Sequence, residues 1–173
     1  RIDVLDGSDN TGLFWRESSI NFFHSTVSPS ILEFYPSIGV TRDVATRADG
    51  SFWGLRVLTS VKYVFKRLNG DSINKLYPME KIGSLYGHDI YKNPYYVPLG
   101  FTYEYYVDKS TFSTVDNSNK DQLLVKAILL NNEQIEKYGY MMTELNSGLL
   151  VDYTYQGLAQ DAADRRRESG YNY

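Results

Sequence analysis

Residues 52–67 constrain the fold most tightly, because their hydrophobic period changes with no loop between the two halves. The first half, FWGLRVLTS, has apolar residues at 52, 53, 55 and 58, which is helical spacing, and Ser51 stands where a cap would be. The second half, VKYVFKR, alternates Val61, Tyr63 and Phe65 against Lys62, Val64 and Lys66, the pattern of a strand with one buried face. A short helix that feeds straight into a strand is a core element.

The rest of the chain alternates strands and helices around it. Residues 1–6 read as a strand through Ile2, Val4 and Leu5, followed by a GSDN loop. Segments 13–15 and 19–23 are apolar and short, and fit either strand or irregular core. Ser28-Pro29 opens a helix carrying Ile31, Leu32, Phe34 and Tyr35, which Pro36 interrupts and Gly39 ends. Residues 41–50, with Arg42, Asp43, Arg47 and Asp49, read as an exposed connection, and RLNGDS as a turn. Residues 81–86 and 90–92 form a hairpin around Gly87-His88-Asp89, and Asn93-Pro94 and Pro98 bracket an extended link.

Beyond it, 101–107 sets Phe101, Tyr103, Tyr105 and Val107 against polar neighbours and is the clearest strand. The clearest helix is 118–130, capped by Ser118 or Asn119, with Asp121 near its start and Leu123, Leu124, Ala127 and Ile128 on one face. A short turn at 133–138 closes on Gly139, and 149–155 alternates as another strand. QGLAQDAADRRRESG favours helix, but its apolar face is only Leu158, Ala159 and Ala162. The prediction is a single α/β or α+β domain, with a mixed sheet, a central hairpin and flanking short helices. Residues 1–155 form its body, and 156–173 a loosely packed C-terminal helix or the cut end of the fragment, parted from its packing partner.

Composition removes several classes of function. A formal charge of −3 argues against a nucleic-acid partner, which calls for a basic face. The absence of Cys leaves no disulfide and no thiolate metal site. The start at Arg1, inside a strand-like run, reads as an excised fragment, and the best apolar run, QLLVKAILL, is too short to cross a bilayer. His24 and His88 lie far apart without metal-spaced neighbours, so no metal site is expected. No phosphate-binding glycine loop, nucleophile elbow or HExxH pattern is present, so no catalytic residue and no cofactor is singled out.

Two groups of residues bear on binding. Asp161 and Asp164, at helical spacing with Arg165, Arg166 and Arg167, read as a solvated, self-screened helix face. The 16 tyrosines are read first as sheet packing, with a ligand surface as the second reading. Glu104 and Asp108 flank the tyrosine-rich strand, and exposed tyrosine beside carboxylate is one way to hold sugars. On that reading Glu104, with Trp15, Tyr95, Tyr96 and Tyr106, are the candidate carbohydrate contacts.

The order of three runs carries a resemblance. NFFHSTVSPSILEFYPSIG, then LRVLTSVKYVFKR, then SLYGHDIYKNPYYVPLGFTYEYYV resembles the extracytoplasmic region of the YfhO family of bacterial multi-spanning membrane proteins. The matching motifs are Ser60-Val61-Lys62-Tyr63, Tyr91-Lys92-Asn93-Pro94 and Pro98-Leu99-Gly100-Phe101, and the resemblance covers most of residues 1–130. It implies a parent similar to GT-C-type glycosyltransferases of Gram-positive bacteria, which use a lipid-phosphate-linked sugar to decorate lipoteichoic or wall teichoic acid. The acidic catalytic residue of such enzymes lies in a loop between membrane spans, so none is carried over here. The matched positions then serve as fold determinants, with Lys62 pointing outward from its strand and Asn93 fixing a turn.

The leading expectation is a non-catalytic domain on the extracellular face of the cell membrane. Its partners would be the transmembrane region of the same polypeptide and teichoic acid or a lipid-linked sugar. A free-standing module that binds carbohydrate or cell-wall polymer is the alternative, and an independent soluble enzyme a distant third.

Overall fold

The computed structural model describes residues 1–46, 48–70, 76–151 and 153–169. In chain order the first part runs β1 (Ile2–Leu5), α1 (Thr11–Trp15), α2 (Pro29–Ser37), α3 (Trp53–Leu58), β2 (Tyr63–Arg67), β3 (Glu80–Leu85) and β4 (His88–Lys92). The second part runs β5 (Tyr105–Asp108), α4 (Lys109–Thr114), α5 (Asn117–Lys126), β6 (Ala127–Leu130), α6 (Asn132–Tyr138), a 3₁₀ turn (Gly139–Met141), β7 (Thr143–Glu144), α7 (Ser147–Val151) and α8 (Tyr155–Glu168). The architecture is mixed α/β. A four-stranded sheet of order β1-β2-β4-β3 pairs β1 with β2 in parallel and the others antiparallel, and a three-stranded sheet of order β6-β5-β7 is parallel throughout.

The helix-to-strand unit exists, and its junction has a definite chemistry. After α3 the chain closes a Schellman turn, with Ser60 N–H donating to Val57 O and Val61 N–H donating to Arg56 O at 2.8 Å. The left-handed position of that turn belongs to Ser60 (φ 59°), not to a glycine. This turn re-aims the strand. The most buried residues of β2 are Val64 and Lys66, while Tyr63 and Phe65 are half-buried, so the predicted inner face is reversed. Ser51 does not cap α3; its hydroxyl and N–H both engage Asp49 Oδ1. The cap comes from α5, where Asp121 Oδ2 accepts from Leu55 N–H at 3.1 Å.

Elsewhere tertiary pairing overrides the local pattern. The strand expected over 101–107 begins only at Tyr105, because Phe101 and Tyr103 turn their rings onto Arg166 of α8. The helix expected to reach 130 stops at Lys126, and AILL becomes β6, pairing Ala127 with Tyr105 through Leu130 with Asp108. Residues 147–151 are helical where a strand was expected, with Asn146 Oδ1 accepting Leu149 N–H at 3.1 Å. The 41–50 connection is not exposed throughout: Arg42, Ala45, Thr46 and Ala48 are buried, while Arg47 lies outside the described residues. The end of the RLNGDS turn, at 71 and 72, also lies outside them. The hairpin forms as β3 and β4, turning at Tyr86-Gly87.

The C-terminal helix packs far more firmly than its apolar content suggests. Leu158, Ala159, Ala162 and Ala163 are buried, and Ala159, Ala162 and Ala163 join Trp53, Val57, Val97 and Val125 in one core cluster. Small side chains let α8 lie close to α5, so area is gained by proximity and not by side-chain size. A larger cluster around Ile38, Leu55, Val107 and Leu123 binds α3 and α5 to β5, and a third beneath the four-stranded sheet contains Leu5, Val61 and Val64. Among the described residues no helix is long and apolar enough to cross a membrane.

Candidate functional site

The motif residues scattered over forty positions meet in space. Asn93, fully buried, donates from Nδ2 to Val61 O at 3.0 Å and accepts Tyr95 N–H on Oδ1 at 3.0 Å. Its own N–H donates to Lys62 O at 2.9 Å. The single side chain therefore ties the start of β2 to the turn at Pro94. On the other flank Lys62 N–H donates to Arg1 O, and the N-terminal amine donates to Ser60 O at 3.2 Å. Lys62 Nζ sits between the rings of Tyr63 and Tyr96, 5.6 and 5.4 Å from their centroids. Ser60, Tyr96, Pro98, Leu99 and Arg1 line a shallow hollow of about 390 Å³, and Gly100 holds φ +82° beside it.

Beneath this lies a buried charge knot. Arg56, on α3, is wholly inaccessible and meets Asp3 of β1, with Nη2 to Oδ2 at 2.7 Å and Nε to Oδ2 at 2.9 Å. Its remaining N–H groups donate to the carbonyls of Ala48, Asp49 and Phe52 at 2.7–3.0 Å. Asp121 completes the knot. Burial pushes its carboxyl up to about 6, opposed by the N–H groups of Leu55, Gln122 and Gly54 and by Arg56. Its Oδ1 has no hydrogen-bond partner among the described residues. At Gly54 a Cβ would come within 2.6 Å of the Asp121 backbone, so α3 and α5 touch there at glycine distance. These groups are saturated or sealed, and they build the fold.

The five sequence-nominated sugar contacts do not share one surface. Trp15 packs edge-on against Phe65 and His88, Tyr95 lies against Trp53, Tyr96 lies under Lys62, and Tyr106 is buried beside Gly139. Asp108, flanking the same strand, caps α4 through Thr111 N–H at 2.7 Å, and this holds its carboxyl below the usual range. Glu104 borders a groove that holds several other charges, its carboxylate 3.8 Å from Arg165.

That groove, between β5 and α8, is the arrangement most suited to a polar ligand. One section of about 440 Å³ is lined by Tyr105, Lys126, Tyr153, Asp161 and Arg165, and an adjoining one of about 130 Å³ by Glu104, Lys126, Arg165 and Arg166. Lys126, nearly buried at the C-terminus of α5, lies 4.3 Å from the Tyr105 ring centroid and only 3.5 Å from Asp161 Oδ2. Asp161 also meets Arg165 at 3.2 Å. Arg166 stacks 4.4 Å from Phe101 and 4.6 Å from Tyr103 and donates to Val125 O, so it is not part of a freely solvated face. Burial raises the Tyr103 phenol above its ordinary value, and its hydroxyl donates to Leu124 O. Three cations and two carboxylates on an aromatic wall can bind phosphate and sugar hydroxyls together.

Sequence reasoning placed Tyr106 in the site and missed Tyr105 and Lys126. Alternation does distinguish 105 from 106, but only the pairing of β5 with β6 shows which of the two faces α8. A larger hollow of about 790 Å³ lies between α1 and α2, with Phe22, Phe23, Phe34 and His24 among its walls. On its rim Asn10 Oδ1 accepts Phe23 N–H and Asn21 Nδ2 donates to Val4 O, while the buried Asn21 Oδ1 has no hydrogen-bond partner among the described residues. Among the described residues no three His, Cys, Asp or Glu side chains converge as a metal site would require.

No curated protein and no solved structure matches the chain. The family described as "Bacterial membrane protein YfhO" matches residues 2–163, a span that includes the motif cluster, the charge knot and α8 up to Ala163, and that stops short of Arg165 and Arg166. The chain belongs to the YfhO family of bacterial membrane proteins.

Proposed function

We propose that this chain is an extracytoplasmic domain of a YfhO-like membrane glycosyltransferase, and that its β5–α8 groove holds the teichoic-acid acceptor without itself performing the transfer. The observation that supports this most directly is Lys126, nearly buried against the Tyr105 ring and only loosely engaged by Asp161 at 3.5 Å. A desolvated cation with a weak internal partner favours an incoming phosphate. Arg165 adds a second cation, and Asp161 and Glu104 stand where polyol or sugar hydroxyls would donate. The chain as a whole is acidic, so the attraction is local and falls with added salt. The reactive acid and the lipid-linked sugar belong, on this reading, to the membrane-embedded part of the parent.

Titration of the 173-residue chain with glycerol-phosphate oligomers, followed by amide NMR, tests the acceptor role. Shifts are expected to cluster on 104–105, 126, 153 and 161–166, and Lys126→Met is expected to weaken binding about tenfold. An unperturbed spectrum at millimolar oligomer would remove the groove from the account.

A further inference from the structure

Helix α1 and the turn of the β3–β4 hairpin, distant in sequence, form one exposed apolar end. On α1, Leu13 and Phe14 are 71% and 82% exposed, and Trp15 next to them turns back onto Phe65 and His88 at ring distances of 5.2 and 5.7 Å. His88 pairs with Leu85 and Arg67 across the hairpin, Leu68 N–H donates to Gly87 O, and His88 Nδ1 lies 3.0 Å from Tyr86 O. Leu68, Leu85 and Tyr86 are therefore neighbours of the Trp15 contact, and Tyr86 is 90% exposed. Every residue of β3 is exposed, so the hairpin projects from the body instead of covering it.

We propose that this end is a membrane-contacting tip, with Phe14, Leu85 and Tyr86 dipping into the interfacial layer of an anionic bilayer. Membership of a membrane-protein family puts a lipid surface within reach of the chain. The residue types fit that occupant. Aromatic rings with a polar edge settle at the headgroup level, and Leu and Phe enter the acyl boundary. Charge fits as well. Arg16 directly follows the apolar run of α1 and Arg67 closes β2 beside the hairpin turn, both exposed, as headgroup phosphates would require. Of the carboxylates on these elements, Asp89 is held by Lys81 at 2.7 Å and by Ser84 at 2.6 Å, and its proton affinity is lowered accordingly, while Glu80 is exposed at the end of β3 away from the turn. Phe14 and Tyr86, 82% and 90% exposed, protrude, whereas Leu13 and Arg16 border the hollow of about 790 Å³ beside α1. The inference rests on the chain being a domain of a membrane protein, and not on the acceptor groove.

The sequence has no Cys, so single cysteines can be placed without background. The chain, tethered through a C-terminal His tag to nickel-chelating vesicles of phosphatidylcholine and phosphatidylglycerol, is spin-labelled at Phe14→Cys, Tyr86→Cys or, away from the tip, Glu136→Cys. Oxygen accessibility is expected to exceed that of a water-soluble nickel complex at 14 and 86, and the reverse at 136. Untethered, the Phe14→Ser/Tyr86→Ser variant is expected to partition about tenfold less into the same vesicles, with unchanged thermal unfolding. Labels at 14 and 86 that report water while tethered overturn the proposal, as does a double variant that partitions like the parent. Oligomer binding in lipid-free solution is read separately, so loss of this inference leaves the acceptor reading standing and the converse also holds.

Discussion

The charge knot around Arg56 and the groove around Lys126 use similar side chains to opposite ends. In the knot every guanidinium N–H has a partner, the carboxylates of Asp3 and Asp121 come from other elements, and no water reaches Arg56. In the groove the cations and carboxylates meet at 3.2–3.8 Å and three of the five groups are well exposed. A saturated charge network fixes element positions, because any rearrangement strands a buried charge. A loose one leaves capacity for a ligand. The recognisable motifs adjoin the first region and the ligand-capable groups lie in the second, so the part of a sequence that reveals its family need not reveal its site.

Breaking the knot has the largest expected effect. Arg56→Met keeps the stem but strands Asp3, and should lower unfolding free energy by about 3–5 kcal/mol in urea titration. A loss below about 1 kcal/mol would mean that the knot does not hold β1 to α3.

The next effect depends on pH. Asp121 has a folded value of about 6 against an ordinary 3.8, so between these values the folded state binds a proton that the unfolded state has released. Its stabilising contribution is full below pH 4 and is lost as pH rises through 6, a change of roughly 3 kcal/mol. Asp121→Asn should flatten that decline and be at least as stable at pH 7, since the amide oxygen still accepts Leu55 N–H. An identical pH slope in wild type and variant would assign the decline to another group.

A smaller change, of opposite sign, is expected at the helix–strand junction. Ser60 sits at φ 59°, and its buried hydroxyl has no hydrogen-bond partner among the described residues, so Ser60→Gly should raise stability by about 1 kcal/mol. Smallest of all, Lys126→Met should shift unfolding by less than about 1 kcal/mol while weakening oligomer binding. If both Lys126→Met and Arg56→Met unfolded the chain, the contrast between the two regions would collapse.

Much of the fold was legible, for reasons that differ by element. Pro29 at the first helical turn, the hairpin around Gly87 and the period change after residue 58 are local signals, and local structure follows them. The failures share a cause. Residues 101–103 alternate like a strand, yet their rings are claimed by Arg166; AILL continues a helical stripe, yet β5 offers it a parallel ladder. In the candidate site Glu104 was within reach of pattern reading, whereas Lys126 was hidden inside an apolar run that looked like core.

The sequence by itself determined the alternation of helices and strands, the absence of thiol chemistry and the ordered motifs that mark the family, because these depend on residue types and near neighbours. Only the tertiary structure decided that Asp121 caps a helix 66 residues away, that α8 seals the core with alanines, and that Lys126 faces Asp161 across a groove. Each of those joins groups whose proximity is set by long-range packing, and no periodicity along the chain encodes which distant partner arrives.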